Sequence, residues 1–403
     1  MATSAPILIV GGGIGGITAA LCCARQGLDV EVFEQAPQFT EVGAGIQLSP
    51  NCTRVLHDLG LEGSLRATAF LPEGGEMRAW DSGKVLGTST LGESARKTYG
   101  FPYYHIHRAD LMTVLTEAAA AEPKIQLHTN AEVKSVTHDD HGATLQANGQ
   151  RHAGAALVGA DGIHSIVRES LFGPEAPTFT GNVAWRMLVP AERLPAGMIR
   201  PMATAWWGPH KHFVHYYVRA GTLVNCVCVV EKPGWQVESW SELGDHAELK
   251  RDFAGWHNDI QTLIDNADPD SCYKWALLVR PPMSQWSAGR ATLLGDACHP
   301  TLPFMAQGAA MAIEDAAVLA RCVANAAGDQ IPAALQRYEQ LRQARTARIQ
   351  AAARRNARIF HLGGILALLR NLAVQRAANH ALDQIFSYDA LSAAAPPVTG
   401  FPR

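Results

Sequence analysis

The chain has 403 residues, 47% hydrophobic and 18% charged, with 34 basic against 37 acidic side chains and a formal net charge of −3. That length suffices for two or three domains with a real buried core, and the near-balanced charge is not that of a nucleic-acid binder or a chain with an acidic tail. Gly and Pro, at 36 and 22, are ordinary counts that exclude a disordered or collagen-like chain. None of the eight cysteines forms a C-x-x-C pair, so neither a zinc ribbon nor a thioredoxin-like site is readable. No apolar run reaches the roughly 18–20 residues of a membrane span; the stretch 363–369 is far too short. The apolar run at 7–10 has no basic residue before it and leads into glycines, so no secretory leader is expected. The expectation is a cytoplasmic protein with reduced thiols.

In chain order, Ile7, Leu8, Ile9 and Val10 make a short apolar run. Then come Gly11, Gly12, Gly13, Ile14, Gly15 and Gly16, a helical stretch to Gln26, and a second apolar run ending on Glu34. This alternation predicts a βαβ unit. Residues 155–159 predict another strand, followed by Ala160, Asp161 and Gly162; residues 291–294 predict a third, followed by Gly295, Asp296 and Ala297, with a helix over 308–325. Between them, residues 178–280 alternate, are rich in aromatics and predict antiparallel sheet. From 337 the chain reads as helical, with Arg342, Arg345, Arg348, Arg354, Arg355 and Arg358 among recurring Leu, Ile and Ala; a solvated helical face packed on the first domain is expected rather than a membrane or nucleic-acid patch. The predicted class is α/β: a Rossmann-like dinucleotide-binding domain (1–72, 103–177 and 286–336), an inserted, mostly antiparallel β-sheet substrate domain (73–102 and 178–285), and C-terminal helices (337–403).

Gly11, Gly13 and Gly16 form G-x-G-x-x-G between a strand and a helix. Gly11 supplies a tight turn, Gly13 close approach of a pyrophosphate, and Gly16 close helix–strand packing, with the helix N-terminus facing the phosphates. Glu34 closes the second strand, where a carboxylate can accept ribose hydroxyls. The fingerprint does not separate FAD from NAD.

The strand ends at Asp161-Gly162 and Gly295-Asp296, followed by Cys298, His299, Pro300 and Pro303, make that separation. With residues 43–51 (including Gly45 and Gln47) and 107–111 (including Arg108), the set resembles the FAD-dependent aromatic hydroxylases, the class A flavoprotein monooxygenases. It looks nearest to salicylate, 3-hydroxybenzoate 6- and 6-hydroxynicotinate 3-hydroxylases. The resemblance implies tightly but non-covalently bound FAD, contacted by Gly11, Gly13, Gly15, Gly16, Glu34, Gln35, Gly45, Arg108, Val133, Asp161, Gly162, Asp296, Pro303, Gly308 and Ala309. It also implies NADH (preferred) or NADPH as a transient co-substrate and O2 as oxidant. The absence of a second glycine fingerprint agrees with a nicotinamide that visits and leaves. The helix beginning near Gly308 could stabilise negative charge at the flavin edge.

Hydroxylating an aromatic ring through a flavin hydroperoxide requires an electron-rich ring, so a phenol is best attacked as phenolate and a base is wanted beside its hydroxyl. The resemblance offers an H-x-x-x-Y element, matched by His212 and Tyr216; four residues apart on a strand, they share a face. His210 is expected on that face too. A metal there lacks an acidic or Cys ligand, so none is expected. Gln47, Met202, Pro300 and Phe304 are expected to line an apolar substrate pocket, with no arginine evidently placed to grip a carboxylate. The implied reaction is hydroxylation of a small phenolic or aminoaromatic acid by a monomer or homodimer. The alternatives are a hydroxypyridine hydroxylase, 6-hydroxynicotinate for example, and a flavin reductase or oxidase that inserts no oxygen. A halogenase would carry W-x-W-x-I-P, which Trp185 to Pro190 does not supply.

Overall fold

A computed structural model of the chain describes residues 5–39, 44–235, 242–377 and 380–394. One sheet has six strands in the order Ser287–Ala288, Ala291–Leu293, Ala156–Gly159, Ile7–Val10, Val30–Phe33 and Ile125–His128. Every pairing is parallel except the Ser287–Ala288 hairpin. Its central strands are buried along their whole length, which is why they read as continuous apolar runs rather than alternating ones. Helices Ile14–Arg25 and Gly308–Val323 pack against each other, and their inner faces join the same core as the strands.

This topology places the site. Ala291–Leu293, Ala156–Gly159 and Ile7–Val10 are adjacent and parallel, so the loops after their C-terminal ends meet although they lie far apart in sequence. Ligands of open parallel sheets bind outside these strand ends.

The second sheet has seven strands, in the order Tyr273–Val279, Thr178–Pro190, Leu223–Glu231, Lys211–Val218, Met202–Gly208, Gly74–Ala79 and Val85–Thr90. It is antiparallel apart from the pairing of Met202–Gly208 with Gly74–Ala79. Strand periodicity divides its two faces. Phe213 and Trp206 enter a core of their own with Trp185 and Trp256, while the alternate residues face the first domain.

One 30-residue helix, Ile331–Phe360, runs unbroken through the boundary expected at 337. Its arginines also depart from a uniformly solvated face. Arg342 and Arg345 are buried against Glu314 and Asp315, while Arg348, Arg355 and Arg358 are exposed. No described helix is long and apolar enough to cross a membrane. All eight cysteines are free thiols, seven of them buried.

Candidate active site

A cavity of about 770 Å³ runs between the two sheets. At one end the glycine turn fixes its wall. Gly11 has φ +101°, and a Cβ there would fall 2.4 Å from the Ala160 carbonyl oxygen; at Gly16 it would fall 1.9 Å from the Gly11 oxygen. Gly11, Gly13 and Gly15 line the cavity, whereas Gly16 works behind it by letting the helix lie against the turn. Glu34 also lines this end, its carboxylate fixed by donation from the backbone N–H groups of Gly12 (2.8 Å) and Ala36 (2.9 Å).

Gln35, Gly45, Arg108, Val133, Asp161, Gly162, Asp296, Pro303, Gly308 and Ala309 continue the lining. Asp296 is exposed on the cavity wall with protein packed closely around it. Burial therefore raises its carboxyl above the usual range, against the pull of His299 and Arg108. Asp161 is raised by the same cause, while burial lowers Arg108 and Asp296 counters it. The helix Gly308–Val323, without an acidic residue in its first turn, begins at the cavity, which Gly308 and Ala309 line, so the positive end of its dipole bears on it.

At the far end stand side chains of the second sheet. His212, Val214 and Tyr216 alternate along Lys211–Val218 and all line the cavity, with Val227, Arg186 and Trp275 from neighbouring strands. Burial, and then His361 nearby, holds the His212 ring well below the ordinary histidine value, so the ring is neutral at physiological pH. Burial pushes the Tyr216 hydroxyl up, keeping it a donor. Gln47 bridges two tyrosines, accepting from Tyr103 at 2.6 Å and donating to Tyr216. Pro300 closes the wall.

Two expected pocket residues lie elsewhere. Met202 is set opposite Gly74 by the parallel register, where its thioether fills the space a Cβ would need. Phe304 packs behind His212 at 4.8 Å between ring centroids and supports the ring without bordering the cavity. His210 does not share the His212 face either; it occupies the left-handed position (φ +62°) of the turn before the strand and is exposed. His215 points the opposite way, buried beside Trp206 and Phe213. Among the described residues, the one group of three potential metal ligands within 4.8 Å of one another is Glu31, His128 and His152, outside the cavity lining.

Arg186 was not foreseen. It lines the cavity, and its guanidinium lies 4.1 Å from the Trp275 ring centre. Burial and the nearby Arg108 lower it to about 9. The signal was local: in Ala184-Trp185-Arg186-Met187 a single charge interrupts an apolar strand, and period 2 puts it opposite the Trp185 face.

A glycine turn, a strand-end acid and a helix N-terminus opening on one cleft define a dinucleotide-binding flavoprotein architecture. The lining fits FAD: Gly11, Gly13 and Gly15 border the cavity beside Glu34, and the buried Thr301 Oγ1 on its wall has no hydrogen-bond partner among the described residues. Residues 4–353 match the family model described as FAD binding domain. The chain is 41% identical over 357 residues, 88% of each chain, to a 3-amino-4-hydroxybenzoate 2-monooxygenase of Streptomyces platensis. It is 39% identical to the 3-hydroxybenzoate 6-hydroxylase of Polaromonas naphthalenivorans, over 91% of this chain and 90% of that one. A variant of HpxO from Klebsiella pneumoniae, solved with FAD, superposes with a TM-score of 0.83 at 28% identity, covering 95% of this chain and 99% of that one. The chain belongs to this FAD-binding family, within the class A aromatic hydroxylases. It is a flavin-dependent aromatic monooxygenase.

Proposed function

We propose that the chain hydroxylates a small phenolic or aminophenolic carboxylic acid, with His212 as base. The observation that carries this reading is that His212, Tyr216 and Arg186 share one end of the cleft, amid apolar Val214, Val227 and Trp275. The relatives' substrates, 3-amino-4-hydroxybenzoate and 3-hydroxybenzoate, combine a ring hydroxyl with a carboxylate and suit this trio.

FAD, when bound, would supply the oxygen-transfer chemistry, drawing on a nicotinamide (NADH in our reading) and O2. The protein's own side chains prepare the ring. Arg186 pairs with the carboxylate and fixes the ring's direction; both charges are desolvated there, so the pairing is strong. His212 withdraws the proton of the ring hydroxyl, and Tyr216, kept protonated, donates to the oxygen left behind. The flavin's isoalloxazine would be held near Pro300 and Pro303, its phosphates at Gly11 and Gly13, its adenosine ribose by Glu34 and its ribityl chain by Asp296. Val214, Val227 and Trp275 exclude water from the reacting face.

Anaerobic reduction of the bound flavin by NADH, followed at its visible absorbance with 3-hydroxybenzoate, 3-amino-4-hydroxybenzoate and phenol, tests this. A carboxylated phenol should speed bleaching, and readmitted O2 should yield hydroxylated product. If no member of the panel speeds it and O2 yields only peroxide, the substrate class is wrong.

A further inference from the structure

We propose that His361 is the second station of a proton relay joining His212 to solvent through Glu231, whose other oxygen His210 holds. The inference rests on the reading of His212 as base. The contacts are continuous: His212 Nδ1 lies 2.9 Å from His361 Nε2, His361 Nδ1 lies 2.9 Å from Glu231 Oε1, and His210 Nδ1 lies 2.8 Å from Glu231 Oε2. Exposure rises along the chain, from 3% for His212 to side-chain values of 4% for His361, 42% for Glu231 and 77% for His210. One end is walled inside the active cleft and the other stands in water.

One set of tautomers satisfies every link. His212 Nδ1–H donates to His361 Nε2, and His361 Nδ1–H donates to Glu231, leaving His212 Nε2 as the nitrogen available to a substrate hydroxyl. Burial alone would raise the Glu231 carboxyl, but hydrogen bonds from His210 and His361 hold it below its ordinary value, so it is ionised and can accept. A proton taken by His212 Nε2 then displaces the one on Nδ1 to His361 Nε2, and the proton on His361 Nδ1 passes to Glu231. From the half-exposed carboxyl it leaves to water, while His210 Nδ1–H holds the other oxygen. Both imidazoles finish neutral with their tautomers reversed, and the substrate keeps the electron pair of its O–H bond as phenolate. The relay lets His212 take the proton without remaining cationic in a site closed to solvent.

The frame is built to keep these groups in line. The His210 N–H donates to the His361 carbonyl at 3.1 Å, and the Glu231 N–H donates to the His210 carbonyl at 3.0 Å. His361 caps the end of Ile331–Phe360. Arg370 clasps the carbonyls of Ile359 (3.0 Å) and Phe360 (2.9 Å), and is the cation that faces His361 from the next helix.

The test mixes FAD holoenzyme in a stopped-flow instrument with whichever of 3-hydroxybenzoate and 3-amino-4-hydroxybenzoate the wild type hydroxylates, and records the phenolate absorbance. In His361→Gln and Glu231→Gln, ionisation should be at least tenfold slower while ligand affinity and flavin content are kept. In His361→Ala, added imidazole should restore it, an effect no purely structural role produces. Wild-type rates in His361→Gln and Glu231→Gln, with a slow His212→Gln, overturn the relay and leave the base in place. Wild-type ionisation in His212→Gln overturns both readings. Should His361→Gln fail to fold, Glu231→Gln, half-exposed at the surface, decides alone.

Discussion

Arg345 grips Glu314 through two nitrogens, Nε to Oε2 at 2.7 Å and Nη2 to Oε1 at 2.6 Å, in a site closed to solvent. Arg342 joins the same carboxylate at 2.7 Å and reaches Asp315 at 2.6 Å, while Asn51 donates to Glu314 at 2.6 Å. This network bolts the C-terminal helix to the helix whose N-terminus opens on the cleft. Removing one partner of a buried pair strands the other charge, at a cost of about 3–5 kcal/mol. Glu314→Gln should therefore lower the free energy of unfolding in urea by about that amount; a loss below about 1 kcal/mol would put the network among pairs worth no more than surface ones.

Gly16 tolerates no side chain, since a Cβ would lie 1.9 Å from the Gly11 carbonyl oxygen. Gly16→Ala must push the helix away from the turn and spoil the phosphate cradle. The purified variant is expected to bind FAD at least about tenfold more weakly, read from the ratio of visible to protein absorbance. A stoichiometrically yellow variant would show that the turn can relax.

Arg186→Met keeps bulk and removes charge. A charge-assisted hydrogen bond is worth about 1.5–3 kcal/mol, so KM for a hydroxybenzoate should rise roughly 10–100-fold. Phenol, lacking the carboxylate, should be affected far less. Equal losses for both compounds would move Arg186 from substrate recognition to upkeep of the site.

Acid should unfold this protein early. Burial lowers His105 and His215 to about 3, with Arg78 adding to the effect at His215. The unfolded chain, with rings near 6.5, takes up more protons than the folded one between those values. Stability is thus complete above about pH 6.5 and falls by roughly 1.4 kcal/mol per ring for each unit below it. The raised carboxyls of Asp161 and Asp296 work in the opposite sense, holding protons in the folded state and blunting the loss just above their ordinary range. His215→Phe keeps a ring and removes its titration, so urea midpoints should decline less steeply from pH 7 to 5. An unchanged slope would exonerate His215.

Much of the cleft was legible in the sequence because its signals are local. A glycine turn, a strand-end acid and an Asp-Gly step each announce themselves within a few residues, and parallel pairing then brings them together. Alternation likewise placed His212 and Tyr216 on one face. It misled at His210, where the strand gives way to a turn and the periodicity no longer holds. Met202 and Phe304 were misjudged because parallel register and packing behind His212 decide their places. His361 was invisible for another reason: 149 residues separate it from His212, and only tertiary packing joins them. Arg342 and Arg345 looked like neighbours of the exposed Arg348 until their partners on another helix were seen.

The buried thiols bear on how such an enzyme ages. Oxidation of cysteine proceeds through the thiolate. Burial pushes Cys23 to about 12 and Cys272 and Cys322 to about 11. Cys298, two residues from Pro300 in the cleft wall, is held protonated by burial and by Asp315 and Asp296. Peroxide released by wasted turnovers therefore meets sulfur in its least reactive form. Sulfenate formation at the buried thiols should accordingly be slow during uncoupled operation.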